Sequence, residues 1–217
     1  KTEFKNWKNS GTVTATSSDN GAAGGIVANS NGSNINGCVN KGKITGVIRA
    51  AGIAGECNLD ISTNAATAGE YPCKVLNCYN TGDILLTNEG YAGGVVGTFP
   101  TVWGSEPTNK NTIMNCYNVG TITALDTSRW TYAGGVIGSA DYTMGMELYS
   151  LNSAAADWIG YNGGTVFDNG TKTSDEMKSE SFAKTMGSQF EAVSGSYPKL
   201  TWEPEEEPDP EPPVSTT

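Results

Sequence analysis

The chain has 217 residues, a formal net charge of −10 and no histidine. Six of its 23 acidic residues lie in positions 203–217, so the rest of the chain carries 17 acids against 13 bases. This mildly acidic body offers no basic stripe for nucleic acid, and no run of about 18 apolar residues is present to span a bilayer. Without histidine, Ser-His and Cys-His nucleophiles and the common catalytic zinc sites are excluded, and we expect neither a metal nor a cofactor.

Two short phrases alternate along the chain in four copies. The first combines Asn-x-Gly with a following Val or Ile, and it begins at Trp7, Cys38, Cys78 and Cys116. The second is Ala-Gly followed by apolar residues, and it begins at Ala23, Ala51, Ala92 and Ala133. A repeat this short buries apolar surface only by stacking on its neighbours. The pattern therefore predicts an all-β, parallel β-solenoid (β-helix) of about five coils.

The final copy is degraded and runs from about Met146 to Asn169. Two registers fit it. In one, Gly160–Val166 takes the place of the first phrase, and in the other Glu147–Asn152 does so. An irregular terminal coil is expected where the stacking ends.

The first phrases are 31, 40 and 38 residues apart, and we interpret this variation as loop length. Insertions after the second phrase cover 56–74 and 98–112, and insertions before it cover 14–22 and 123–132. Variable loops on a constant frame are where a solenoid carries its function.

The five cysteines form two groups. Cys38, Cys78 and Cys116 share one repeat position, which Trp7 occupies in the first copy. We expect these three to line the interior as small apolar side chains, with disulfides between adjacent coils or a metal site as alternatives. Cys57 and Cys73 instead bracket the insertion 58–72, and we predict a disulfide there.

The sequence after the repeats predicts a cap and then a linker. Thr173 and Glu176 form a capping box for a helix over about 174–186, which ends at Gly187. We expect its apolar residues to cover the open end of the solenoid. The folded domain is thus predicted over 1–202. The acidic, proline-rich segment 203–217 is predicted to be an extended linker or stalk.

These phrases resemble the GLUG-type repeats and their relatives in surface proteins of Gram-positive, often gut-dwelling, bacteria. The match is good over Asn77–Ile84, Asn115–Ile122 and Ala92–Gly97, and the ending Ser196–Trp202 also fits. The resemblance implies a right-handed parallel β-helix in an exported, modular protein. Members include adhesins and segments appended to immunoglobulin A peptidases, and the resemblance implies no catalytic residues.

Aromatic residues in the insertions are the best functional candidates, because exposed rings among polar groups commonly bind sugar faces. Phe99 and Trp103 lie in one predicted loop and Trp130 and Tyr132 in another, while Tyr142 follows the last good copy. The alternative is that such rings fold back onto the solenoid. We take Trp103, Trp130 and Tyr142 as candidate glycan-binding residues, with Asp126 or Arg129 supplying hydrogen bonds.

The sequence therefore predicts a non-catalytic, extracellular adhesion module that binds a host or dietary glycan or glycoprotein. We expect it to be a monomeric part of a larger protein. One alternative is a polysaccharide-active lyase or glycosidase that uses loop carboxylates, with Asp126 beside Arg129 or Asp141 beside Glu147. The other is a structural spacer that binds nothing.

Overall fold

A computed structural model of the protein describes residues 2–18, 21–58, 71–100 and 109–204, and the side chains of Tyr142, Phe167 and Asp168 are not among those described. Nearly all of the secondary structure is strand. Each of the first three repeats contributes five strands. They are β1 (Glu3–Lys5), β2 (Lys8–Asn9), β3 (Val13–Thr14), β4 (Ala22–Gly24) and β5 (Val27–Asn31); β6 (Asn34–Asn36), β7 (Val39–Asn40), β8 (Ile44–Gly46), β9 (Arg49–Ala51) and β10 (Ala54–Asn58); β11 (Lys74–Leu76), β12 (Tyr79–Asn80), β13 (Ile84–Leu86), β14 (Tyr91–Gly93) and β15 (Val96–Phe99).

Longer strands replace short ones toward the C-terminus. These strands are β16 (Asn111–Asn118), β17 (Ile122–Ala124), β18 (Tyr132–Gly134), β19 (Ile137–Leu151) and β20 (Ile159–Lys172). The chain ends in α1 (Ser174–Met177), α2 (Glu180–Thr185), β21 (Phe190–Glu191) and β22 (Lys199–Leu200). No helix in the described residues is long and apolar enough to cross a membrane.

Strands at equivalent repeat positions pair in parallel. Among the described residues, β3, β8, β13 and β17 form sheet B, and β4, β9, β14 and β18 form sheet C. The other parallel strands make a twelve-stranded sheet A, and β21 and β22 form an antiparallel pair. This stacking of equivalent strands is consistent with the predicted parallel β-solenoid.

The pairing chooses between the two registers of the degraded copy. Leu148 lies opposite Cys116, Tyr149 opposite Tyr117 and Ser150 opposite Asn118. Glu147–Asn152 is therefore the counterpart of the first phrase, and the Gly160–Val166 register is wrong. The pairing also shifts the second phrase of the second repeat by one residue. That phrase begins at Ala50 rather than at the predicted Ala51, because Ala50 pairs with Ala92.

The cysteine column lies in the interior as predicted. Cys38, Cys78 and Cys116 are all fully buried and belong to the main apolar cluster. Leu148 takes the position in the degraded copy, which is consistent with the cysteines acting as small apolar side chains. Trp7 occupies the same position in the first repeat but is 54% exposed.

A ladder of asparagine side chains runs through the stack. The Nδ2 of Asn9 donates to Asn40, that of Asn40 to Asn80 and that of Asn80 to Asn118, each at 2.7 Å. Each Nδ2 also donates to the carbonyl oxygen of the glycine two residues later, as Asn80 does to Gly82 at 2.7 Å. Each asparagine thus holds the turn within its own repeat and sets the position of the next repeat in the stack.

The second phrase makes room for this ladder. A Cβ atom on Gly94 would lie 2.2 Å from Cγ of Asn118, and one on Gly52 would lie 2.4 Å from Cγ of Asn80. Only a residue without a side chain fits against the asparagine of the following repeat. The two phrases therefore recur together because they contact each other across the interior.

The prediction that the C-terminal segment covers the open end of the solenoid is wrong. The segment packs along the side of the stack, on an outward column formed by Val39, Tyr79, Tyr117 and Tyr149. This column supplies the apolar surface that Met177, Phe182, Met186, Phe190 and Leu200 bury. The segment starts at the last repeat and reaches back to the first ones, since Nε1 of Trp202 donates to the carbonyl oxygen of Gly37 at 2.9 Å.

The predicted single helix is divided in two. The capping box at Thr173 and Glu176 is present, as predicted. Helix α1 stops after one turn because the side chain of Ser179 caps a second helix by accepting a hydrogen bond from the Phe182 N–H at 3.2 Å.

Glu203 belongs to the folded part rather than to the predicted linker. It is buried, and its Oε1 accepts hydrogen bonds from the Tyr79 hydroxyl at 2.8 Å and from the Leu200 N–H at 3.0 Å. The ammonium groups of Lys8 and Lys41 each lie 3.9 Å from its other oxygen. The remainder of the predicted linker, 205–217, lies outside the described residues.

The asparagine ladder yields a stability prediction. Asn80→Ala removes the acceptor of one Asn40 amide hydrogen and one donor to the Asn118 carbonyl oxygen. It also removes both side-chain hydrogen bonds to the Gly82 backbone, all in a buried interior, so we expect the free energy of unfolding to fall by about 3 kcal/mol. Asn9→Ala, at the partly solvated edge, is the matched control and should cost less than about 1 kcal/mol. Urea denaturation followed by circular dichroism measures both, and equal losses would contradict the account of the ladder.

Candidate functional site

The predicted site residues have different outcomes. Trp103 lies outside the described residues, and the side chain of Tyr142 is not described. Trp130 is 54% exposed and does not fold back onto the solenoid. Phe99 was predicted to lie in a loop, which is wrong, because it ends β15 and is fully buried in the main cluster.

A compact turn over residues 125–131 presents Trp130. Oδ1 of Asp126 accepts hydrogen bonds from the Ser128 N–H at 2.6 Å and the Thr131 hydroxyl at 3.4 Å. The hydrogen bond from the Ser128 backbone is the main cause that lowers the pKa of Asp126. Asp126 therefore shapes the turn that carries the tryptophan.

Arg129 contacts Trp130 rather than Asp126. Its guanidinium carbon lies 4.6 Å from the centroid of the indole ring, a cation–π distance. Leu125, at the start of the same turn, is 63% exposed. The turn thus displays one aromatic, one cationic and one apolar side chain next to strand β18.

A column of tyrosines begins where this turn ends. Tyr91 pairs with Tyr132 in sheet C, and their rings stack with centroids 5.8 Å apart and planes 14° apart. Tyr161 of β20 extends the column, with its centroid 5.5 Å from that of Tyr132 and its plane tilted by 56°. Stacking covers the inner ring faces, whereas the tilted Tyr161 is 45% exposed. We call Tyr91, Tyr132 and Tyr161 the tyrosine face.

Tyr132 was predicted to lie in a loop, which is wrong because it begins β18. Tyr91 and Tyr161 were not singled out from the sequence, because only the aromatic residues of the insertions were considered. The signal was present in the repeats themselves, since Tyr immediately precedes Ala-Gly-Gly at both Tyr91 and Tyr132. Residues at one repeat position become neighbours in a solenoid, so the contact between Tyr91 and Tyr132 could have been predicted.

Charged groups lie beside the tyrosine face. Arg49 pairs with Tyr91 in sheet C, and its Nε lies 3.1 Å from Oε2 of the buried Glu56. The Nδ2 of Asn29 donates to the same oxygen at 2.9 Å. Burial is the main cause that raises the pKa of Tyr91, and the nearby Tyr132 and Asp141 add to it while Arg49 opposes it.

The polar groups follow a second column next to the tyrosines. Glu56 lies opposite Thr98, Thr98 opposite Ser139 and Ser139 opposite Tyr161. Glu56, Thr98 and Ser139 are buried, so the tyrosine face itself offers ring surface and phenolic hydroxyl groups, with the partly exposed Arg49 beside it. This composition suits a polar ligand with an apolar face, such as a pyranose sugar.

The carboxylates of the enzyme alternative do not form one pair. Glu147 accepts a hydrogen bond from the Tyr149 hydroxyl at 2.7 Å, and Tyr149 packs against the C-terminal segment. Asp141 instead lies near enough to Tyr91 for its negative charge to raise the pKa of that tyrosine, and it pairs with Gly163 in β20. No group of three acidic or cysteine side chains in the described part of the chain is arranged to hold a metal ion.

A cavity lies under the C-terminal segment. It has a volume of about 660 Å³ and is lined by Tyr79, Tyr117, Tyr197, Lys41, Lys199 and Glu203, among others. Its polar groups are largely engaged in holding the segment, since Tyr79 donates to Glu203 and the Tyr117 hydroxyl to the carbonyl oxygen of Pro198. We therefore interpret this cavity as part of a packing interface.

Comparison with known proteins bears on the fold alone. No protein-family model matches the chain, and no curated protein matches it. A crystal structure of a "putative immunoglobulin A1 protease" from Bacteroides ovatus is similar, with a TM-score of 0.62 over 93% of this chain. The two sequences are 19% identical. The chain spans 58% of the length of that structure.

The Asp126 turn makes a prediction about pH. A carboxylate whose pKa is lowered by folding stabilises the turn above its unfolded pKa, and this contribution is lost as the pH falls through the lowered value. We expect carbon-13 NMR titration to place the Asp126 pKa below the ordinary value of about 3.9. Ser128→Ala removes the serine hydroxyl but keeps the backbone donor, so it should raise the pKa only partway. Ser153→Ala, at an exposed serine elsewhere, should leave it unchanged, and an Asp126 pKa at or above the ordinary value would contradict this geometry.

Proposed function

We propose that this chain is a non-catalytic, glycan-binding module of an extracellular bacterial surface protein, with the tyrosine face as its binding site. The turn 125–131 extends that site with the exposed Trp130 and with Arg129. The ligand class is a host or dietary glycan or glycoprotein. Trp103 and Tyr142 remain candidate contacts.

The observation that carries this proposal is that, in the described part of the chain, one tyrosine column is covered by the C-terminal segment and the other is not. The column Tyr79, Tyr117 and Tyr149 is covered by the C-terminal segment and is at most 8% exposed. The column Tyr91, Tyr132 and Tyr161 has no such cover in the described residues and ends in the 45% exposed Tyr161. The covered column stabilises the packing of the C-terminal segment on the solenoid. An uncovered aromatic column beside polar groups has no such role and is typical of a binding surface.

The setting we propose is a monomeric module within a larger exported protein of the GLUG-type repeat group. The module would be a right-handed solenoid of about five coils. Supporting this are the repeat phrases, the acidic and proline-rich composition of 205–217, and the greater length of the Bacteroides ovatus structure that shares the fold. In this arrangement the proline-rich segment is a spacer that holds the binding face away from its neighbours.

A polysaccharide-active enzyme is the second candidate, and the buried Glu56 near the tyrosine face favours it. However, Oε2 of Glu56 is held by both Arg49 and Asn29. A carboxylate fixed by an arginine is poorly suited to release a proton to a leaving group. The non-catalytic function is therefore the better supported of the two.

The site is tested by substituting the tyrosine face after a glycan array has identified a ligand. We expect Tyr161→Ala and Trp130→Ala each to weaken binding about 30-fold, the loss of roughly 2 kcal/mol that a central aromatic contact provides. Tyr71→Ala and Trp7→Ala are matched controls, because Tyr71 is 46% and Trp7 54% exposed outside the proposed site. Isothermal titration calorimetry gives the affinities, and circular dichroism verifies folding.

Three results would decide against parts of this proposal. Unchanged affinity in a folded Tyr161→Ala, Trp130→Ala double variant would move the binding site elsewhere. Absence of any ligand on a broad array would favour the structural spacer. Release of reducing ends from a bound glycan, abolished by Glu56→Gln, would establish the enzyme instead.

A further inference from the structure

The two cysteines outside the interior column lie next to each other in the stack. Cys57 lies near the end of β10, and Cys73 immediately precedes β11. Both are fully buried. Cys57 lies opposite Ser30 in the strand pairing, and the Ser30 hydroxyl is 3.5 Å from Sγ of Cys73. One residue of the preceding strand thus adjoins both thiols.

The pair also differs chemically from the interior column. A hydrogen bond from the Cys57 thiol, aided by one from Ser30, lowers the pKa of Cys73 to about 7. The same contact with Cys73 raises the pKa of Cys57. In the column, burial raises the pKa of Cys78, and the contact with Cys78 raises that of Cys38. Among Cys38, Cys57, Cys73 and Cys78, Cys73 is therefore the one best able to react as a thiolate.

The column cysteines are occupied by the backbone as well. Sγ of Cys116 accepts a hydrogen bond from the Cys78 N–H at 3.4 Å, and Sγ of Cys78 accepts one from the Cys38 N–H at 3.4 Å. The Cys78 thiol also donates to the carbonyl oxygen of Leu76 at 3.1 Å. These contacts tie the sulfurs to backbone groups of the same repeat and of the preceding one.

We propose that Cys57 and Cys73 form an intramolecular disulfide, and that Cys38, Cys78 and Cys116 remain thiols. The bond ties the end of β10 to the start of β11 and closes the insertion 58–72 at its base. It is the single covalent link between the second and third repeats apart from the chain itself. This inference does not rest on the glycan-binding proposal.

The oxidation takes place by exchange with a second disulfide, such as that of an oxidoreductase in an exporting compartment or of oxidised glutathione. The Cys73 thiolate attacks one sulfur of the oxidant and releases the other as a thiolate. Cys57 then loses its proton and attacks the Cys73 sulfur, which releases the second thiolate. Two protons and two electrons pass from the protein to the oxidant, which becomes two thiols. Because both cysteines are buried in the finished fold, the exchange takes place during folding, after Ser30 and Cys57 have come to lie beside Cys73 and before the thiols are closed off from the oxidant.

The bond is tested by refolding the whole chain with oxidised and reduced glutathione, denaturing it, and alkylating the free thiols. We expect the oxidised protein to be two hydrogens lighter and to take up three alkyl groups, whereas the fully reduced protein takes up five, one for each cysteine. Peptide mapping should find the link between Cys57 and Cys73. Five alkylated cysteines after oxidative refolding, or a link within the column, would overturn the proposal.

Two variants make the assignment specific. Cys57→Ser should leave all four remaining cysteines open to alkylation, while Cys38→Ser should keep the disulfide. We also expect the oxidised wild type to melt about 5–10 °C above its reduced form, because the bond restricts the unfolded chain. The same shift in a Cys57→Ser, Cys73→Ser double variant would show that another change causes it. If a single variant does not fold, the mass and mapping of the wild type still decide the question.

Discussion

The contact between each asparagine of the ladder and a glycine of the preceding repeat is the constraint on which the rest of the structure depends. The amide of Asn118 occupies the space that a side chain on Gly94 would need, and Asn80 does the same at Gly52. The asparagine hydrogen-bonds upward, downward and within its own turn, so it fixes the register of successive repeats. A one-residue slip would break both the hydrogen bonds and the steric fit. Insertions of variable length between the phrases leave this interlock intact, which is why the loops can vary.

Fixed register turns the repeat sequence into columns, and the columns decide where the chemistry lies. Cysteines at one position become a dry interior line, and tyrosines at two other positions become outward lines. The C-terminal segment covers one tyrosine line, and Trp202 and Glu203 anchor its far end at the early repeats. The other line remains partly open beside Arg49 and Glu56. A stability device and a candidate binding surface thus arise from the same repeat in different environments.

Much of this organisation could be predicted from the sequence because stacking is local and periodic. The parallel strands, the buried cysteine column and the Thr173 capping box all follow from residues at fixed spacing. The position of the C-terminal segment could not be predicted, since it depends on a tyrosine column that only the folded stack assembles. Tyr161 is likewise separated from the Ala-Gly-Gly phrases and joins the tyrosine face only because β20 pairs with β19. Phe99 was misplaced because strand β15 extends further than the phrase that predicts it.

The central claim is that the uncovered tyrosine column, and not the cavity under the C-terminal segment, receives the ligand. NMR titration of carbon-13 labelled aromatic side chains with a glycan bound by the wild-type chain tests this claim most directly. We expect shift changes that saturate together at Tyr91, Tyr132, Tyr161 and Trp130, with the rings of Tyr79, Tyr117 and Tyr197 unperturbed. Changes confined to Tyr79, Tyr117 and Tyr197 would contradict it and place the ligand in the cavity.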